Sequence, residues 1–196
     1  MNYREKILND NAFLVSETDA KGIITYANDE FCNVAEYKLE ELVGMPHNIV
    51  RHEDMPKAAF KALWVALKKG ENYHAIVKNL TRTGRYYWVI TDFTIDKDEK
   101  GKITGYTGRR KALPQSVINK IEPLYKTLLS IENAKSEAAS ELYFKAYLNE
   151  EVGKSYDEFV LDLFEGATDD PSNSGENPTK IKKGVNWFFF GDSNPK

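Results

Sequence analysis

The sequence predicts an α+β protein, an antiparallel sheet with short helices crossing one face. Three observations carry this. Two β-prone runs, residues 12–17 and 22–27, are joined by Thr18-Asp19-Ala20-Lys21, and Asp with Gly22 nearby gives the chemistry of a hairpin turn. Phe60, Leu63, Trp64 and Leu67 fall at the i, i+3, i+4, i+7 spacing of a one-sided helix over 57–69,. Three more β-prone runs, 72–81, 85–96 and 102–111, are separated by Arg82-Thr83-Gly84 and Asp98-Glu99-Lys100-Gly101, both of them turn sequences.

The elements between follow from local chemistry. Asn28 and Asp29 are good N-caps, and Glu30 adds negative charge to a first turn, so a short helix over 29–36 is expected, with Phe31 and Val34 inward. Residues 38–43 predict a second short helix that Gly44 stops,. Gly70 ends the larger helix. Beyond Pro114 the texture changes to helices at 114–129, interrupted at Pro123, and at 134–150,. Ser155 is placed to cap a last helix through Phe164,. Residues 166–183 are rich in Asp, Ser, Asn, Gly, Pro and Lys, a composition that reads as disordered. The chain closes on Trp187-Phe188-Phe189-Phe190, a docking peptide or a segment that folds back on the protein's own surface. The expected organisation is an N-terminal cap at 1–10, a sensor domain at 11–112, a helical region at 113–165 and a flexible tail at 166–196.

Composition narrows the function. A net charge of −3 over 196 residues argues against a nucleic-acid or anionic-membrane surface,. The lone Cys32 leaves no intramolecular disulfide and suits a reducing cytoplasm,. No run approaches the length of a membrane span,.

The segment 46–56, Pro-His-Asn-Ile-Val-Arg-His-Glu-Asp-Met-Pro, is bracketed by prolines and dense in hydrogen-bonding groups. It is expected to be a loop, the lid of a ligand pocket. Phe60 and Trp64 are candidates for one wall of a flat apolar slot, or for ordinary core. Asn28 and Asn79 carry amides that both donate and accept, as a uracil-like ring edge requires. For Asn28 the alternative is a plain helix cap. Asn79 lies within a strand, where Asn is disfavoured. Arg51 offers a planar fork for an anionic group. His52 is a candidate to bond a cofactor or to orient Asp54, and Asp54 to pair with Arg51 or cap the next helix.

These residues also carry a resemblance. Thr18-Asp19, the run from Gly22 to Asp29 with Phe31, Pro46-His47-Asn48-Ile49-Val50-Arg51-His52, Asp54-Met55-Pro56, Ala59-Phe60 with Trp64, Val77-Lys78-Asn79, Gly84 with Tyr87-Trp88-Val89, and Gly105-Tyr106 resemble the flavin-binding PAS domain of bacterial aerotaxis receptors over roughly residues 11–128. The resemblance implies a five-stranded antiparallel PAS sheet that cradles FAD and is not an enzyme. The cofactor-binding set it implies is Asn28, Phe31, Arg51, His52, Asp54, Phe60, Trp64, Asn79 and Trp88. It further implies a cytoplasmic redox sensor that passes flavin state to a chemoreceptor-type signalling partner. The reading is of a stand-alone subunit that docks on that partner in trans, with homodimerisation open. An amide flip at Asn28 or Asn79 would start the signal, which would pass along residues 106–110 into 114–129. The chain departs from the family at Tyr73, where a second Trp is common. Rival readings are a haem or small-ligand gas sensor using His52 or His74, a cysteinyl–flavin photosensor, a flavin oxidoreductase, and a cofactor-free PAS adaptor.

Overall fold

The computed structural model describes residues 4–9 and 11–165. The sequence expectations for residues 166–196, including the aromatic run at 187–190, lie outside the described residues. Six strands form one sheet: β1 (Arg4–Glu5), β2 (Leu14–Asp19), β3 (Ile24–Ala27), β4 (Tyr73–Leu80), β5 (Arg85–Lys97) and β6 (Ile103–Ala112). Five of them run antiparallel in the order β3-β2-β6-β5-β4. The sixth was not expected. β1 pairs parallel with Arg85 and Tyr86, at the end of β5 beyond Ala112, the last β6 residue. The N-terminal segment is therefore part of the sheet. Lys6 anchors it by donating to the carbonyls of Asn33 and Val34 at 2.8 and 2.9 Å.

Between β3 and β4 lie the helices α1 (Asp29–Ala35), α2 (Leu39–Leu42) and α3 (Lys57–Lys69). Asn28 caps α1 by accepting from the Phe31 amide. The helix stops one residue earlier than expected, because Glu36 adopts the left-handed conformation at φ 65°. That conformation turns its carboxylate toward Lys6, Thr83 and Arg85. Burial raises the Glu36 pKa, but hydrogen bonds from Thr83, Thr81 and Arg85 outweigh it and hold the carboxyl at about 2. Glu36 thereby ties α1 and β1 to the β4–β5 turn.

The C-terminal helices are α4 (Gln115–Ala134), α5 (Glu137–Ala146) and α6 (Tyr156–Glu165). The expected break at Pro123 does not occur, and α4 runs through it. Ile121, Leu124, Tyr125 and Leu128 are buried on both sides of the proline. Their packing outweighs the one backbone hydrogen bond a proline removes. The helix expected over 134–150 starts later, where the Ser136 hydroxyl accepts from the Ala139 amide, and ends in a π-helical turn, Tyr147–Val152. Ser155 and Glu158 form the capping box expected before α6,.

These helices close the open edge of the sheet. The outward amides of β4 would otherwise template pairing with another chain. Instead the His74 amide donates to Asp157 at 3.0 Å, and the Ile76 amide donates to the Tyr156 hydroxyl at 3.3 Å. Tyr125 donates to the Ile76 carbonyl at 2.8 Å and meets Tyr156 at 2.7 Å. Further along, the lid covers Lys78, whose amide donates to Met55 Sδ and whose carbonyl accepts from His52. No helix among the described residues is long and apolar enough to cross a membrane.

Candidate cofactor-binding site

Between α3 and the inner face of the sheet lies a cavity of about 280 Å³. That is near the lower end of the range for small-molecule sites, about 300–1,000 Å³. One wall is the apolar stripe of α3, Phe60, Leu63, Trp64 and Leu67. Trp64 closes against Tyr106 edge-on at 5.5 Å and packs over Gly22. Gly22 is needed twice: its φ is +84°, and a Cβ there would stand 3.2 Å from the Trp64 ring,. The turn holding it is set by Asp19, which accepts from the amides of Lys21 and Ile23. The hydrogen bond from Ile23 leads in lowering the Asp19 pKa.

The sheet supplies the floor. Strand alternation sends Val77, Asn79, Thr91, Phe93, Tyr106, Gly108, Arg110, Ser16 and Thr18 inward,. Asn79 and Arg110 are buried charged or polar groups on this face, 3% and 3% exposed. The Thr91 hydroxyl is buried with no hydrogen-bond partner among the described residues. The lid begins as a short 3-10 turn, His47–Val50, rather than as loop throughout. Arg51 then bridges to Asn79 as a β-bridge that holds the lid to the sheet. Its guanidinium lies 4.4 Å over the Phe60 ring and donates to the Met55 carbonyl at 2.8 Å. Burial is the main cause lowering its pKa.

Of the nine residues singled out in the sequence, Arg51, Phe60, Trp64 and Asn79 line the cavity. The other five lie outside the lining. Asn28 is spent on structure: its Oδ1 accepts from the Val15 and Phe31 amides and its Nδ2 donates to the Phe13 carbonyl. Phe31 sits one layer below, fully buried beneath Arg110 at 5.2 Å. His52 is buried against the Tyr86 ring, and its Nδ1 accepts from the Asp54 amide at 3.0 Å. Asp54 pairs with Lys78 instead of Arg51. Trp88 is on the opposite face of the sheet, stacked on Tyr125 at 6.2 Å, because β5 residues of even number point away from the cavity. Tyr73, the ladder partner of Phe93 and so on the cavity's face, stacks at its edge on Tyr156, with rings 5.5 Å apart and nearly parallel.

The residues sequence reasoning missed are Arg110, Ser16 and Thr91. Arg110 donates from Nη1 to Ser16 Oγ and the Gly108 carbonyl, each at 2.9 Å, and its Nη2 lies 3.1 Å from His47 Nε2. A guanidinium only donates, so His47 Nε2 accepts and its proton sits on Nδ1. The Ser16 oxygen, which accepts from Arg110, lies 2.8 Å from the same nitrogen. Burial, then the Arg110 charge, holds His47 far below the usual imidazole range and so neutral. Burial also lowers Arg110, to about 10.

A profile described as "PAS fold" matches residues 24–110. Residues 24–110 form a PAS domain. The aerotaxis receptor of Escherichia coli K12 is 48% identical over 121 residues, 62% of this chain and 24% of that protein. A biofilm dispersion protein of Pseudomonas aeruginosa is 28% identical over 100 residues, 48% of this chain and 23% of that protein. The chain thus spans about a quarter of the length of these relatives. Among solved structures, one titled for a flavin analogue in a light-oxygen-voltage domain superposes with a TM-score of 0.50 at 20% identity. It covers 63% of this chain and 87% of its own. An RNA-binding light-oxygen-voltage receptor also reaches 0.50, at 18% identity, covering 60% of this chain and 33% of its own. At such identities the likeness is one of fold.

Proposed function

We propose that this PAS domain binds FAD with its flavin ring in the cavity under α3, and that the redox state of the flavin is the signal. The observation that carries the reading is the cavity itself, which sets an aromatic wall against a polar floor and lies in a stretch 48% identical to an aerotaxis receptor. A flavin requires an apolar slot with a few placed hydrogen-bonding groups. Phe60 and Trp64 would flank the ring, while Asn79, Thr91 and Arg110 would meet its polar edge. Arg51, on the lid, would meet the part of the cofactor that leaves the slot. When bound, the flavin supplies reversible electron transfer. This chain's residues hold it, exclude water and re-pair as its charge changes.

We keep the expected route outward and add a second one. Asn28 is committed to three structural hydrogen bonds, so Asn79 is the amide able to answer the ligand. Two paths leave the cavity. One follows β6 from Arg110 into α4. The other follows α3, whose first amides are held by a carboxylate of α4. A chemoreceptor-type signalling protein, in trans or as further domains of the same chain, would read the change. The role is sensory and cytoplasmic, and no substrate turnover is proposed.

The rivals fare less well on geometry. The cavity is lined by His47 but by neither His52 nor His74, and His47 Nε2 is already held by Ser16 and Arg110. A haem would lack its axial imidazole. Cys32 lies on α1 and not in the lining, which disfavours a cysteinyl–flavin adduct. An absorption spectrum of the protein purified from flavin-replete cells, before and after dithionite, tests the reading. Blue-region flavin bands that bleach are expected. A colourless preparation, or a Soret band, would overturn it.

A further inference from the structure

Tyr87 carries a phenol into the interior that the site described above does not use. It stands directly opposite Asn79 on the β4–β5 ladder, so the two side chains leave the sheet on one face as near neighbours,. Asn79 lines the cavity, while Tyr87 lies behind it, outside the lining and 0% exposed. The Tyr87 hydroxyl is buried with no hydrogen-bond partner among the described residues. Burial pushes its pKa up, and the Arg110 charge and the Asn79 amide pull it back, so both groups lie close to it.

An unbonded phenol is out of place in a core, because a phenylalanine would fill nearly the same space without burying a hydroxyl. The other deeply buried pair, Tyr125 and Tyr156, bond each other and the backbone of Ile76. The backbone of Asn79 is fixed on both sides, by the ladder to Tyr87 and by the β-bridge to Arg51. A response at Asn79 is therefore a rotation of its side-chain amide. That amide accepts at Oδ1 and donates at Nδ2. Whichever end faces a ligand, the other points away, and a buried end without a partner is costly. A hydroxyl both donates and accepts, so it can serve either end.

We infer that Tyr87 is the positioning residue that makes the Asn79 amide reversible. Its hydroxyl donates to Oδ1 while Nδ2 faces the ligand, and accepts from Nδ2 once the amide has turned. The ligand class is a heterocycle with a ring nitrogen that accepts in one state and donates in the other. A flavin is such a ring, since on reduction it takes two electrons from the reductant and a proton from solvent onto a ring nitrogen. The inference rests on the cofactor reading above and deepens it. Tyr87 acts only through Asn79 and touches no ligand.

The test is made on the full chain, loaded with flavin and labelled with nitrogen-15 asparagine. Solvent exchange of the Asn79 Nδ2 protons is read by NMR in the oxidised and the dithionite-reduced protein. In wild type they should be protected in both states, by the ligand when oxidised and by Tyr87 when reduced. In Y87F the oxidised protection should match wild type, and the reduced protection should fall about tenfold, the scale of one lost hydrogen bond. Flavin-free Y87F should unfold at the same temperature as wild type or higher. A flavin-free Y87F that is less stable or does not fold makes Tyr87 ordinary core and overturns the inference, as does protection that changes equally in both states or in neither. Wild type alone gives a second reading: a carbon-13 label at Tyr87 Cζ should shift on reduction, and an unmoved signal overturns the inference. A wild type that binds no flavin ends the cofactor reading and this inference with it, whereas a coloured wild type that fails these tests ends the inference alone.

Discussion

The two sides of α3 do opposite work. One side is apolar and shapes the cavity through Phe60, Leu63, Trp64 and Leu67. The other side, near the N-terminus, is held by carboxylates from the C-terminal helices. Glu132 of α4 accepts from the Lys57 amide at 3.0 Å and the Ala58 amide at 2.9 Å. Glu137 and Glu141 of α5 pair with Lys57 and Lys61. Pro56 precedes the helix and offers no side-chain cap, so Glu132 supplies the negative charge that a helix N-terminus favours. The difference is that non-directional packing faces the cavity and directional hydrogen bonds face α4 and α5; on the proposed cofactor reading, α3 would act as a lever between the two. A small tilt of α3 that packing tolerates would strain the bonds at its far end.

That contrast can be broken in order of expected size. Leu67→Ala, at a site 1% exposed, should destabilise the protein by about 2–5 kcal/mol in denaturant unfolding. A loss well below that range would mean the inner side is loosely packed. On the proposed flavin reading, Trp64→Ala should lower the cofactor bound per chain, and retention at wild-type stoichiometry would remove Trp64 from the wall. Glu132→Ala should cost about 1 kcal/mol, the scale of a lost N-cap, while leaving the purified protein coloured. A colourless Glu132→Ala protein would show that the two sides are not separable. The smallest effect belongs to the exposed Lys61–Glu141 pair, where a double-mutant cycle should give a coupling that high salt abolishes.

Acid should act elsewhere, at Glu36. The Glu36 carboxyl sits at about 2 in the folded protein, below its ordinary 4.5. Its contribution is therefore fully present above about pH 4.5 and is lost as pH falls toward 2. Glu36→Gln should flatten that part of the stability profile, and an unchanged acid slope would contradict the assignment.

Much of this was legible in the residues. The 3.6-residue period over 57–69 gave α3 with both ends right, because its stripe is one-sided and Gly70 adopts the left-handed C-cap at φ 84°. The hairpin turns gave the β2–β3 and β4–β5–β6 neighbours, but not the β2–β6 pairing that joins them across about 90 residues. Register was less legible. Asn79 and Trp88 both look like ligand groups, but Trp88 faces Lys78 across the ladder and so belongs to the other side of the sheet,. The same parity would have found Arg110, which shares a face with Tyr106 and Gly108. In the sequence it hides as half of a basic pair with Arg109, the usual mark of a solvated strand end. Asn28 was read two ways, and its cap and strand bonds show the structural one. Glu132 could not be found from the sequence, since its bonds to α3 span 74 and 75 residues. No local pattern encodes such a contact.

The most direct test of the lever is backbone hydrogen exchange on the flavin-loaded protein, oxidised and after reduction with dithionite. The account predicts altered exchange at the first turn of α3 and the last turn of α4, as well as around the cavity. Exchange that changes at the cavity lining alone, with both of those turns unmoved, would contradict it.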